Sequence, residues 1–259
     1  MMQGIESLLE LLDWYRKRVC NMNLYDELIK EILGQLNRIA QSKDAKMTPP
    51  SKQWKDVGEH HMILGREAAY ELGGGSMPGL SGCLYTTSPI LLQEGVYLYG
   101  KDLTQIRENQ PYARIVLAEL EEADEEEALY RKFREIDYVR YHIHPKGYMA
   151  RISPVSQREP VRIAKKALRE NISFGAVGQM YLERYRTISS VKNVNVIFVT
   201  QKEFDYHALD EKLRKAEQIT QSLNYIFTNL SMDCGTCSLK AVCDEVEGLR
   251  NLHFENRCT

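Results

Sequence analysis

Four of the six cysteines crowd into the C-terminal segment as Cys234, Cys237, Cys243 and Cys258, in the spacing Cys-x2-Cys-x5-Cys-x14-Cys. Thiolates two residues apart can grip one metal from a single tight turn, and Gly235 gives the backbone the freedom such a turn needs. Four thiolates at near-tetrahedral angles suit either a [4Fe–4S] cluster or a structural zinc. A zinc ribbon offers two Cys-x2-Cys knuckles, whereas only the first pair here has that form. The spacing therefore favours the cluster and keeps zinc as the alternative. Because Cys258 stands next to the chain end, His253 is the candidate substitute for it.

A second candidate is the basic stretch of Arg151, Arg158 and Arg162, continued by Lys165, Lys166 and Arg169. Guanidinium groups meet phosphate oxygens in bidentate pairs, so these side chains suit a nucleotide-like ligand; the competing reading is an ordinary solvated helix face. Tyr141-His142-Ile143-His144 puts two histidines on one side of a candidate strand, a spacing metals use, but without a third ligand nearby it reads as a polar strand edge. The adjacent His60 and His61 would point different ways. The run from Glu71 to Cys83 contains five glycines and Pro78 and reads as a flexible surface or lid loop. It lacks the Lys-Ser/Thr pair and the dinucleotide spacing of a phosphate cradle. Cys83 itself reads as a small buried residue.

The chain that must position these groups has 259 residues, 43% hydrophobic and 27% charged, enough for a sizeable core in one large or two small domains. A formal net charge of -2 gives no global attraction to nucleic acid or to an anionic membrane. No apolar run approaches the roughly 20 residues of a membrane span, and acidic residues interrupt the N-terminal apolar stretch, unlike a secretory signal. A cytoplasmic protein is expected, with neither nucleic acid nor membrane as partner. In that reducing compartment, cysteines are metal ligands or free thiols rather than disulfides.

Ile5, Leu8, Leu9, Leu12, Tyr15 and Val19 recur at helical spacing, and Leu28, Ile29, Ile32, Leu33, Leu36 and Ile39 do so again after a cap at Asn23. This predicts a helical hairpin over residues 1–47, packed within the chain. Ser42 to Trp54, with Pro49-Pro50, reads as a linker. Residues 55–229 then alternate. Strands are predicted at Val96–Tyr99, Arg114–Ala118, Met149–Ile152 and Val194–Val199, the last apolar enough to be central. Between them fall a helix started by Asp124 and Glu127 with Leu129, Phe133, Ile136 and Arg140 on one face, and another over Pro154 to Arg169 with Val161, Ala164, Ala167 and Leu168 inward. Ser173 caps a third, carrying Val177, Met180, Tyr181 and Arg184, and a long helix runs from Asp205 to about Asn229. The alternation predicts an α/β fold with a mostly parallel sheet, flanking helices, the N-terminal hairpin and a small cysteine-rich metal-binding segment over 230–259.

Four stretches come in a telling order: Tyr70-Glu71-Leu72-Gly73-Gly74, Met149-Ala150-Arg151-Ile152-Ser153, the run from Phe174 to Thr200, and Met232-Asp233-Cys234-Gly235-Thr236-Cys237 continuing to Glu245-Val246-Glu247-Gly248-Leu249. Over roughly residues 65 to 255 the chain resembles the acetyl-CoA synthase (beta) subunit of the carbon monoxide dehydrogenase/acetyl-CoA synthase complex. The resemblance implies an arginine-bearing α/β middle domain that receives coenzyme A, with Arg151 on a matching arginine, and a corrinoid protein or other components of that complex as partners. Met149 stands where the family has a tryptophan. In the family a nickel pair bridged to a [4Fe–4S] cluster joins a methyl group to carbon monoxide and passes the product to coenzyme A. Here the family's upstream cluster cysteines are missing between Phe198 and Cys234, and Cys234-Gly235-Thr236-Cys237 has one residue too many for the family's square-planar Cys-Gly-Cys chelate of nickel. Nickel is therefore not expected. What the resemblance implies is a truncated, acetyl-CoA synthase-like iron–sulfur protein of one-carbon metabolism. The alternative is an accessory or scaffold protein with a structural zinc, docking to a corrinoid or synthase partner. A third reading, a complete synthase, would have to borrow thiolates from Cys20 or Cys83.

Overall fold

The structure, a computed structural model, describes residues 23–39, 45–122, 126–153, 156–227 and 238–246. The first predicted helix, Cys20, Asp124 of the predicted capping pair, Cys234, Cys237, His253 and Cys258 lie outside the described residues.

Two sheets organise the chain. Strands β1 (Ala68–Leu72), β5 (Tyr148–Ala150) and β6 (Val161–Ala164) form an antiparallel sheet in the order β1-β6-β5. Strands β2 (Gly79–Thr86), β3 (Gly95–Tyr99), β4 (Tyr112–Leu120) and β7 (Val191–Val199) form the larger one in the order β2-β4-β7-β3. In it β2 runs parallel to β4 and β3 parallel to β7, but β4 and β7 are antiparallel. The fold is α/β as expected, and the mostly parallel sheet is corrected to a mixed one. Alternating strands and helices give no direction of return. Between β4 and β7 the chain detours through the smaller sheet instead of making one crossover helix, and it comes back the other way.

The predicted strands at 96–99, 114–118 and 194–199 correspond to β3, β4 and β7, that at 149–152 overlaps β5 at Met149 and Ala150, and β7 is central with Val194 to Val199 fully buried. A predicted helix and a predicted loop are corrected. Residues 161–164 are strand β6, not helix; only Lys165–Arg169 is helical. Val161 and Ile163 are buried while Arg162 and Ala164 are partly exposed, an alternation that a spacing of three or four residues also fits over so short a span. Pro160, which cannot serve a helix interior, was the available signal. The glycine-rich run is likewise not a free loop. β1 continues to Leu72, all eight residues of β2 are buried, and only 73–78 turn between them. That turn is pinned: Gly73 N–H donates to the Gln110 carbonyl at 2.8 Å, and Tyr112 N–H donates to that of Pro78 at 2.9 Å. Gly73 has φ +62°, and its Cα lies so close to Gly79 that a Cβ on either would overlap the other's backbone.

Helices α1 (Asp26–Ile39), α2 (Glu126–Tyr141), α3 (Lys165–Arg169), α4 (Phe174–Arg186), α5 (Tyr206–Phe227) and α6 (Lys240–Glu245) cover the sheets. The second hairpin helix is α1, and it packs within the chain as expected. It starts three residues beyond Asn23, whose carbonyl accepts from the Asp26 N–H at 3.1 Å. Asp26 then accepts from Thr86 Oγ1 at 2.6 Å and Ser88 Oγ at 2.7 Å, fastening α1 to the end of β2. Its Leu28, Ile29, Ile32, Leu33 and Leu36 join one contiguous core with the large sheet. Each such side chain contributes about 1.5–3 kcal/mol relative to exposure. Ser173 caps α4 as predicted, its Oγ accepting from Ala176 N–H at 3.1 Å, although Tyr185 rather than Arg184 completes the buried face. Within the predicted linker residues 45–47 make a strand-like contact, Met47 N–H to the Val96 carbonyl and Leu98 N–H to that of Ala45, both 2.8 Å, which covers the open edge of β3. No helix among the described residues is long and apolar enough to cross a membrane.

Gly73→Ala should lower stability by roughly 2–4 kcal/mol, combining a left-handed alanine with the clash against Gly79. Urea unfolding at unchanged slope measures this; a midpoint equal to that of the parent protein would show that the close approach is not needed.

Candidate functional site

An open cleft of about 600 Å³ lies between the start of β2, the turn before it, the segment 156–158 and one face of α5. α5 begins where the sequence placed it, with Asp205 Oδ1 accepting from Ala208 N–H at 2.9 Å. Leu209 and Leu213 are buried, and Leu213 lies so close over Gly82 of β2 that any side chain at 82 would collide with it. Turned the other way, Tyr206, His207, Asp210, Arg214 and Glu217 line the cleft. Arg214 pairs with Asp210 one helical turn away, and burial raises the pKa of Glu217 despite the opposing effect of nearby Arg140.

Opposite α5, residues 157–159 run along the edge of β2. Ser81 N–H donates to the Gln157 carbonyl at 2.6 Å, and Glu159 N–H to that of Gly79 at 2.7 Å. In extended backbone successive side chains point to opposite sides, so Glu159 turns into the core and Arg158 turns to the cleft. Arg158 Nη2 donates to the Gly75 carbonyl at 2.9 Å. Arg162 and Arg151 meet elsewhere: Arg162 Nε is hydrogen-bonded to Glu71, its register partner on β1, and Arg151 Nη2 is 3.7 Å from the other oxygen of the same carboxylate. Glu71 packs against Gly74. The three predicted arginines thus gather around one glycine turn, Arg158 on the cleft side and the other two neutralising a carboxylate. Lys165 donates to the Arg66 carbonyl at 3.0 Å, while Lys166 and Arg169 are exposed.

Of the four predicted metal ligands, only Cys243 falls within the described residues, as part of α6. That helix packs on α5, with Val242 and Val246 buried and Lys215 Nζ 2.6 Å from Glu245 Oε1. Cys83 is buried in β2, and burial pushes its thiol pKa up to about 12, so it is a neutral thiol rather than a thiolate to lend. The predicted strand around His142 and His144 does not exist, because α2 extends to Tyr141. His142 stacks on Tyr138 at 3.5 Å between centroids, and its Nδ1 is 2.7 Å from the Tyr138 carbonyl. Among the described residues no group of three or more His, Cys, Asp or Glu is placed to hold a metal ion.

Sequence reasoning missed a polar layer under the sheet. Arg114 of β4 and Glu159 are both fully buried and paired, Nε to Oε1 at 2.9 Å and Nη2 to Oε2 at 2.6 Å. Burial alone would lower the Arg114 pKa; the Glu159 carboxylate more than offsets this and keeps the guanidinium charged. Its carbon lies 4.2 Å above the centre of the Tyr181 ring. Arg140, 5% exposed on the inner face of α2, donates through Nη2 to Ser81 O at 3.2 Å. Tyr112 and Tyr148 share a hydroxyl hydrogen bond of 2.6 Å nearby. The signal in the sequence was an arginine inside an otherwise apolar strand, Arg114-Ile115-Val116-Leu117-Ala118.

No protein family model and no curated protein matches this chain.

Glu159→Ala leaves the Arg114 charge buried without its partner and should cost about 3–5 kcal/mol, read from the urea midpoint. A loss below about 1 kcal/mol would show that the pair is not needed. A pH effect comes from His61, whose Nε2 accepts from Gly147 N–H at 3.0 Å and whose pKa burial lowers from the usual 6.5. The unfolded chain takes up that proton first. The contribution of His61 is therefore complete above pH 6.5 and is lost as pH falls from there toward the folded-state pKa. The urea midpoint of the parent protein should fall more steeply below that pH than that of His61→Gln; parallel curves would remove His61 from the explanation.

Proposed function

We propose that this chain is an acetyl-CoA synthase-like iron–sulfur protein of cytoplasmic one-carbon and acetyl-CoA metabolism. In this reading Cys234, Cys237, Cys243 and Cys258 hold one [4Fe–4S] cluster, and the arginine-lined cleft receives an anionic ligand of coenzyme A type. The observation that carries it is the double role of α5. One face of this helix lines the cleft opposite Arg158, and the same helix bears α6, the piece of the cysteine segment that contains Cys243. In this reading one helix supports both a metal cluster and an anion site, which would bring the group that supplies the chemistry beside the carrier that receives its product. Arg158 is the arginine best disposed toward a phosphate, because Arg151 and Arg162 already face Glu71. A corrinoid protein or a synthase component is the partner this reading calls for.

Anaerobically purified protein should carry about four irons and four sulfides per chain and a visible absorption that dithionite bleaches. Serine at Cys234, Cys237 or Cys243 should remove them. Colourless protein with one zinc per chain would instead establish the zinc scaffold. Coenzyme A binding, followed by calorimetry, should weaken about tenfold in Arg158→Ala. An unchanged affinity would take the ligand out of this cleft.

A further inference from the structure

The polar layer beneath β2 and β4 has an imbalance of one kind. Arg114 Nη1, Arg140 Nε, Tyr181 Oη and Tyr185 Oη are shielded from solvent, and none has a hydrogen-bond partner among the described residues. The side chains belong together. Nη2 of each arginine lies within hydrogen-bonding reach of the same Ser81 Oγ, at 3.5 Å for Arg114 and 3.4 Å for Arg140. Arg114 stacks on Tyr181, and Tyr185 follows one turn later on the buried face of α4. Buried polar groups are almost always satisfied, so four on neighbouring side chains require an account.

All four can donate, and the two arginine nitrogens can only donate. A water molecule could accept from the arginines and donate to the tyrosine oxygens, but it would bring no negative charge. An anion brings acceptors alone. Charge points the same way: two buried guanidinium groups face a single fully buried carboxylate, that of Glu159. Asp137 lies 3.5 Å from Arg140 Nη1 but is 39% exposed, and Glu217 faces Arg140 from α5 with its ionisation opposed by burial. Neither supplies an acceptor to Arg140 Nε.

We propose that Arg114, Arg140, Tyr181 and Tyr185 enclose a small monovalent anion, a halide or a one-carbon carboxylate, inside the α/β core. It is distinct from the cleft ligand, since these donor atoms do not reach the surface, and it offsets the second buried guanidinium, that of Arg140, beside the already paired Arg114 and Glu159.

Crystals of the full chain grown with sodium bromide should show an anomalous peak within hydrogen-bonding distance of Arg114 Nη1 and a tyrosine hydroxyl. Ordered water or empty density there would overturn the proposal. In solution, replacing gluconate by bromide or by formate at constant ionic strength should raise the unfolding temperature by about 2–4 °C. A larger response to one of the two identifies halide or carboxylate as the better fit. The double variant Tyr181→Phe, Tyr185→Phe keeps both rings and the Arg114 stacking, so it tests the donors without emptying the core, and it should abolish the shift. An undiminished shift in that variant would refute the site.

Discussion

Arg114 stands in an inner strand of the large sheet, fully buried, and its charge is met by Glu159, equally buried, from a segment that belongs to neither sheet. Taking two such ions out of water costs several kcal/mol each, and the cost is recovered only where the pairing is bidentate and the remaining donors are engaged. The fork of Arg114 meets both oxygens of Glu159, its second edge approaches Ser81, and its face stacks on Tyr181. One side chain thereby ties β4, the edge of β2 and α4 together. Because Glu159 must turn inward, Arg158 must turn outward, and the wall of the cleft follows from the buried pair.

The glycine turn before β2 is the second constraint. Gly73 and Gly79 approach so closely that no side chain fits at either position, which holds the ends of β1 and β2 together and fixes the carbonyl of Gly75 where Arg158 reaches it. Glu71 on the near side of the turn takes Arg162 and Arg151. These pairs are partly solvated and contribute little to stability, so their effect is on placement: they set which arginine remains directed to the cleft.

Much of the scaffold was legible in the residues. Strands β3, β4, β5 and β7 and helices α1, α2, α4 and α5 announce themselves through runs of β-branched residues or apolar spacing, and the cap at Ser173 and the start at Asp205 mark where two helices begin. β6 was hidden because four residues cannot separate a period of two from one of 3.6. β2 was hidden because Gly79 and Gly82 look like loop residues, although they are there to admit the facing backbone and Leu213. Arg140 was placed on the correct face of α2, yet nothing in the helix pattern says that this face meets Ser81 rather than water.

The sequence alone determined the α/β class, the order of most elements, the capped helix start at Ser173 and the clustering of Cys234, Cys237, Cys243 and Cys258 along the chain, since these depend on local propensity, periodicity and spacing. Only the tertiary structure decided the antiparallel join of β4 to β7, the pairing of Arg114 with Glu159 and the sorting of three arginines between a carboxylate and a cleft. The reason is physical: each of these joins residues far apart along the chain, and neither direction of return nor desolvation of a charge is encoded in any short window of residues.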